Sequence, residues 1–180
     1  MLPHIIDSAF NIDIDNIEQE CEDILFEMCH PKFVAVVENI TGLSNLIPDI
    51  SINDIIELDY GKEIHPCSTS AGISRMKPLW HKITATLMLN DKYQNLGGEL
   101  IIIDGDKTTK ITPIMNRLVI HQAGRHVMTG ISRWYGIETW KALSVRYMTT
   151  EMPKDTTKAT MMPTMGGTYT TVFRSTHQSK

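Results

Sequence analysis

The stretch "GKEIHPCSTSAG", Gly61 to Gly72, sets Glu63, His65 and Cys67 two residues apart. Carboxylate, imidazole and thiolate all bind first-row metals, with thiolate the softest of the three. In a strand, residues i and i+2 project to one side, so such spacing can aim two donors at one point. No Asp or Glu occurs between Glu63 and Asp91, so the pairs on offer are Glu63 with His65 and His65 with Cys67. Further along stand His126 in "GRHVMTG", Arg133 in "SRWYGIETW" and Arg146 in "WKALSVRYM". His81, beside Trp80, and His121, closing "RLVIH", read as strand-edge residues rather than metal donors.

These residues must be positioned by the elements around them. "DIDNIEQECEDILFEMCH" spaces Ile14, Ile17, Cys21, Ile24, Leu25 and Met28 by threes and fours, the pattern of an amphipathic helix. Asp13 or Asp15 can cap its start, and Pro31 ends it. "KFVAVVENITG" repeats the pattern with Phe33, Val36, Val37 and Ile40, stopped by Gly42. From residue 50 the period becomes two. "DIIELDY" and "KITATLMLN" alternate, and "GELIIID" is a continuous apolar run between Gly97-Gly98 and Asp104-Gly105. Shorter runs follow at Lys110–Thr112, "RLVIH" and "HVMTGI", with "WKALSVRYM" last and "GDKTTK" reading as a polar turn. At least seven short strands with turns between them predict a sandwich or barrel. Helices first and strands afterwards predict helices packed on one outer face of an antiparallel sheet pair. Trp134 and Trp140 read as core or interface.

Bulk properties narrow the classes. A chain of 180 residues suits one domain, and 42% hydrophobic with 21% charged residues is ordinary globular composition. A formal charge of −4 with scattered Lys and Arg excludes nucleic acid as the main partner. "MLPHIIDSAF" has no signal-peptide pattern, and no apolar stretch approaches the roughly 20 residues of a membrane helix. Cys21, Cys29 and Cys67 form no CxxC pair, which fits a reducing, cytoplasmic setting. The tail from Thr149 to Lys180 is rich in Thr, Met, Lys, Gly and Pro and has no period. It reads as an arm following a domain of residues 1–148, with Met161, Met162, Met165, Tyr169 and Phe173 as adaptable contacts for another protein subunit.

Taken together, "LDYGKEIHPCST … WHKITATLMLNDKYQNLGGELIII … ITPIMNRLVIHQAGRHVMTGISRWYGIETW" resembles the 2-oxoglutarate- and Fe(II)-dependent dioxygenases of the prolyl-hydroxylase type. The resemblance runs from about Phe33 to Met148, and "TLMLNDKYQNLGGEL" is its most specific part. It implies a double-stranded β-helix, a jelly roll with supporting α-helices. It also implies a metal site of one His-x-Asp pair and a distal histidine, leaving open iron positions for 2-oxoglutarate and oxygen.

His126 matches the distal histidine. The His-x-Asp pair has no match: one register puts Cys67 and Thr69 in its place, the other His65 and Cys67. In an active enzyme the resemblance would assign the metal to His126, His65 and Cys67, and the far carboxylate of 2-oxoglutarate to Arg133, with Arg146 as a weaker match. The departure from the family pattern leads to the expectation of a non-catalytic scaffold needing no cofactor. Its arm would bind other subunits of a larger assembly, similar to phage-encoded members and so a virion structural protein. The alternative is an active Fe(II)/2-oxoglutarate-dependent hydroxylase. A small-molecule sensor using the emptied pocket is a third class.

Overall fold

The computed structural model describes residues 2–12, 17–49, 54–68, 79–90, 95–124 and 126–151. The arm contacts Met161, Met162, Met165, Tyr169 and Phe173 lie outside them, as do the capping candidates Asp13 and Asp15.

Helix α1 covers Ile17–Cys29 and helix α2 covers Pro31–Thr41. Pro31 does more than end α1. It opens α2, where a missing N–H costs nothing, and His30 caps that helix by accepting a hydrogen bond from the Lys32 N–H at 3.2 Å. Gly42 closes α2 with φ of 69°, a left-handed conformation that glycine adopts without a Cβ clash. Cys21, Ile24, Leu25 and Met28 are buried, as the helical spacing predicts. On α2 the buried residues are Val34, Val37 and Thr41, while Val36 is 46% exposed, so the predicted stripe is rotated.

Among the described residues, ten strands build two antiparallel sheets. The larger holds β1 (His4–Ile6), β2 (Ile47–Pro48), β3 (Asp54–Leu58), β5 (Trp80–Met88), β8 (Arg117–Gln122) and β10 (Trp140–Thr149). Its order is β1-β8-β5-β10, with β2 and β3 both paired to β10, at opposite ends of it. The smaller holds β4 (Ile64–Ser68), β6 (Leu100–Asp104), β7 (Lys107–Ile111) and β9 (Val127–Ile131) in the order β4-β9-β6-β7. This is the predicted jelly roll with helices. Two details differ from the sequence reading. "KTTK" is strand β7 rather than a turn. His121, near the end of β8, is buried at 2% exposure rather than standing at an exposed edge.

Because β5 and β10 sit in the middle of the larger sheet, both their faces are buried. One face carries Ile83, Ala85, Leu87, Leu118, Ile120, Leu143, Val145 and Tyr147 against the helices. The other carries Met88, Val119, Trp140 and Ala142 against Leu100, Ile102, Ile111, Val127 and Ile131 of the smaller sheet. The space between the sheets is where the candidate residues must be sought.

Candidate site between the sheets

Strand β4 pairs with β9 through Ile64↔Ile131, then Cys67↔Thr129 and Ser68↔Met128, with a register shift between Ile64 and Cys67. Opposite residues of an antiparallel pair share a face. Thr129 also pairs with Ile102, a residue of the inter-sheet core, so Cys67 faces inward. Ile64 packs against the same core. The irregularity therefore separates His65 from Cys67, which regular i, i+2 alternation would have placed on one face. The His65 side chain is 86% exposed, with Nε2 3.6 Å from Glu63 Oε1.

His126 lies just before β9 and is exposed. Cys67 is paired three residues along from it, roughly 10 Å away by strand rise. His65 follows Ile64, whose partner Ile131 is five residues along, roughly 16 Å. The structure thus does not bring His65 and His126 together at one ion. Among the described residues no cluster of three or more His, Cys, Asp or Glu is placed to hold a metal.

Arg133 Nη2 is 2.9 Å from Glu63 Oε1, and both side chains are at least partly exposed. This pairing holds the guanidinium at the surface, and it raises the Arg133 pKa further above its ordinary value. Met88 and Trp140, both fully buried, pack in the core between the sheets, while Met128 is 37% exposed. The Trp140 Nε1–H is buried with no hydrogen-bond partner among the described residues, a donor that a water or ligand oxygen would satisfy.

A polar surface missed by sequence reasoning lies across the larger sheet. Cross-strand pairing aligns Arg146, Thr84 and His121 in one row, and Ser144, Thr86 and Val119 in the next. These rows share the face of Met88 and Ala142, the one turned to the smaller sheet. His81 joins them: a register shift between Tyr147 and Met148 re-aims it, and its Nε2 lies 3.0 Å from both the Ile83 carbonyl and Thr84 Oγ1. His121 Nδ1 is 3.0 Å from the Gln122 carbonyl, which can only accept, so Nδ1 carries the proton and Nε2 is left as an acceptor.

Burial holds both rings neutral. The pKa of His81 is lowered to about 4, chiefly by burial and then by the nearby Arg146 and His121, and that of His121 is lowered by burial. The signal available in sequence was "KITATLM", whose Thr84 and Thr86 alternate with apolar residues on a strand that turns out to be central. Two neutral imidazoles, hydroxyls and a guanidinium can hydrogen-bond a small polar or anionic ligand. They do not make a two-His-one-carboxylate iron face, because no carboxylate stands in register and His65 points away.

A scan against protein-family models finds no match, and a search of curated proteins finds none either. Solved structures do match. The chain is similar to a viral collagen prolyl hydroxylase from Paramecium Bursaria Chlorella virus-1 in its 2-oxoglutarate complex, with a TM-score of 0.58 and 11% identity over 82% of this chain and 95% of that one. It is similar to a Pseudomonas putida prolyl-4-hydroxylase, with a TM-score of 0.56 and 14% identity over 82% and 86% of the two chains. A Trichoplax adhaerens prolyl hydroxylase bound to a hypoxia inducible factor peptide fragment matches with a TM-score of 0.52 and 14% identity over 81% and 82%. The fold is that of the 2-oxoglutarate- and Fe(II)-dependent oxygenases. Among the described residues no helix is long and apolar enough to cross a membrane.

Proposed function

We propose that this chain keeps the oxygenase barrel without its iron chemistry and serves as an interaction subunit of a larger assembly. One observation carries the reading: the strand that should present the first metal ligands turns His65 outward and presents Cys67 inward, with no carboxylate in register. Arg133, the matched anchor for 2-oxoglutarate, is engaged with Glu63 at the surface. The arm, residues 149–180, would be the contact element, with other protein subunits as its partners, as in a virion.

The comparisons favour a second reading, an active Fe(II)/2-oxoglutarate-dependent hydroxylase, over a structural role. Each similar structure described above is a prolyl hydroxylase. In that reading His126 and Cys67 would be the protein donors, and Arg146 the guanidinium facing the inter-sheet space. The fit is poor, since Cys67 is paired roughly 10 Å along β9 from His126 and thiolate is softer than the carboxylate it would replace.

An anaerobic titration of the full chain with Fe(II) and 2-oxoglutarate separates the two. The scaffold reading expects no visible metal-to-ligand charge-transfer band while circular dichroism shows a folded protein. A band that saturates stoichiometrically overturns it.

A further inference from the structure

Helices α1 and α2 bury one stripe against the sheet and leave an apolar surface outward. Phe26 is 74% exposed and Val36 46%. Together with Phe33, Glu27, His30 and Lys32 they line a shallow groove. Phe33 is already ordered there, stacked on Phe10 with ring centroids 5.5 Å apart. Around Phe26 the helix is acidic: Glu22, Asp23 and Glu27 are exposed, and α1 contains no Lys or Arg. An exposed phenylalanine flanked by carboxylates suits an occupant that is apolar and cationic.

The chain itself supplies such a segment. Residues 152–180 carry Lys154, Lys158, Arg174 and Lys180 against a single acidic residue, Asp155, together with Met161, Met162 and Met165. Methionine fits irregular apolar grooves because its side chain is unbranched and polarizable. The segment also starts in the right place. Tyr147 donates a hydrogen bond from Oη to the Met28 carbonyl at 2.7 Å, so β10 passes directly under the C-terminal end of α1. Residue 152 is five residues on, within about 17 Å of that point. A tether this short raises the local concentration of the segment to the millimolar range, enough for a weak, salt-sensitive contact to be populated.

We propose that the C-terminal segment, residues 152–180, docks in cis on the α1–α2 face, its methionines on Phe26 and Val36 and its lysines against Glu22, Asp23 and Glu27. This deepens the reading of the arm as a contact element and rests on it.

Hydrogen exchange on the full chain at low salt, read by mass spectrometry with light scattering in parallel, tests the docking. Amides between residues 158 and 173 should exchange roughly tenfold more slowly than in the Phe26→Glu variant, with the chain monomeric throughout. Paired Glu22→Lys and Glu27→Lys should release the segment in the same way. Unchanged protection of β5 and β10 shows that each variant is folded. Equal exchange in the original chain and both variants overturns the proposal. So does protection that grows with protein concentration as dimers appear, which assigns the face to the arm of a second copy. Neither result bears on the iron titration, which reports on the barrel alone.

Discussion

Arg133 and Glu63 form an ion pair at 2.9 Å that joins the segment after β9 to the turn before β4. The pair sits at the surface, with the Arg133 side chain 50% exposed. The position that family resemblance assigns to a 2-oxoglutarate anchor therefore carries a surface contact. Nearby, Gly61 N–H donates to the Trp134 carbonyl and Trp134 N–H to the Lys62 carbonyl, so the backbone already ties these two segments together.

Arg133→Ala should accordingly leave the melting temperature unchanged, since exposed ion pairs contribute little. If the chain binds 2-oxoglutarate at all, calorimetry should give the same affinity for this variant. A tenfold or greater loss of affinity would instead place Arg133 at the ligand.

Tyr147 anchors the helices to the sheet. It is fully buried, and its hydroxyl reaches the Met28 carbonyl at the end of α1. Burial raises its pKa well above the ordinary value, so the phenol stays protonated and able to donate. Tyr147→Phe keeps the ring and strands that carbonyl, which should cost about 1–3 kcal/mol. Urea denaturation checks this, with the midpoint lowered and the slope unchanged.

The buried histidines make stability fall with acid. His81 has a folded pKa of about 4 against an ordinary 6.5, and His121 is shifted the same way. Between these values the unfolded chain binds protons that the folded chain refuses. The His81 contribution is thus fully present above about pH 6.5 and is lost as pH falls toward about 4, by up to about 1.4 kcal/mol per pH unit, and His121 acts in the same direction. Denaturant midpoints measured across that window should slope accordingly, and His81→Asn should flatten the slope. A flat profile in the original chain would contradict the burial of these rings.

Gly98 has no room for a side chain. A Cβ there would lie 2.7 Å from the Trp140 ring and 2.9 Å from Trp134, on a backbone with φ of 75°. Gly98→Ala should destabilise by about 2–4 kcal/mol through overpacking and backbone strain together. Thermal melting of the variant against a Gly105→Ala control, which has a positive φ but open space around it, separates the two contributions.

Much of the fold was legible along the chain because local periodicity reports burial. The threes and fours of Cys21, Ile24, Leu25 and Met28 specify α1, and the alternation in "KITATLMLN" specifies β5. In "GGEL", Gly98 lets Trp134 and Trp140 pack close, and Gly97 lets the Arg133 carbonyl approach. Periodicity says which residues share a face but not which face is turned to which neighbour. That is why Val36 was assigned to the core and His81 and His121 to strand edges. Their burial depends on β5 and β8 being interior strands, and strand order follows from long-range pairing.

The same division runs through the candidate site. From sequence alone come the absence of a carboxylate between Glu63 and Asp91 and the presence of His126. Only the tertiary structure decides that Cys67 faces inward while His65 faces solvent, because one register shift against β9 breaks the two-residue alternation. Only it shows Arg133 held by Glu63, residues that are 70 apart in the chain. A strand fixes the geometry of near neighbours, but where its side chains point is settled by the strand beside it.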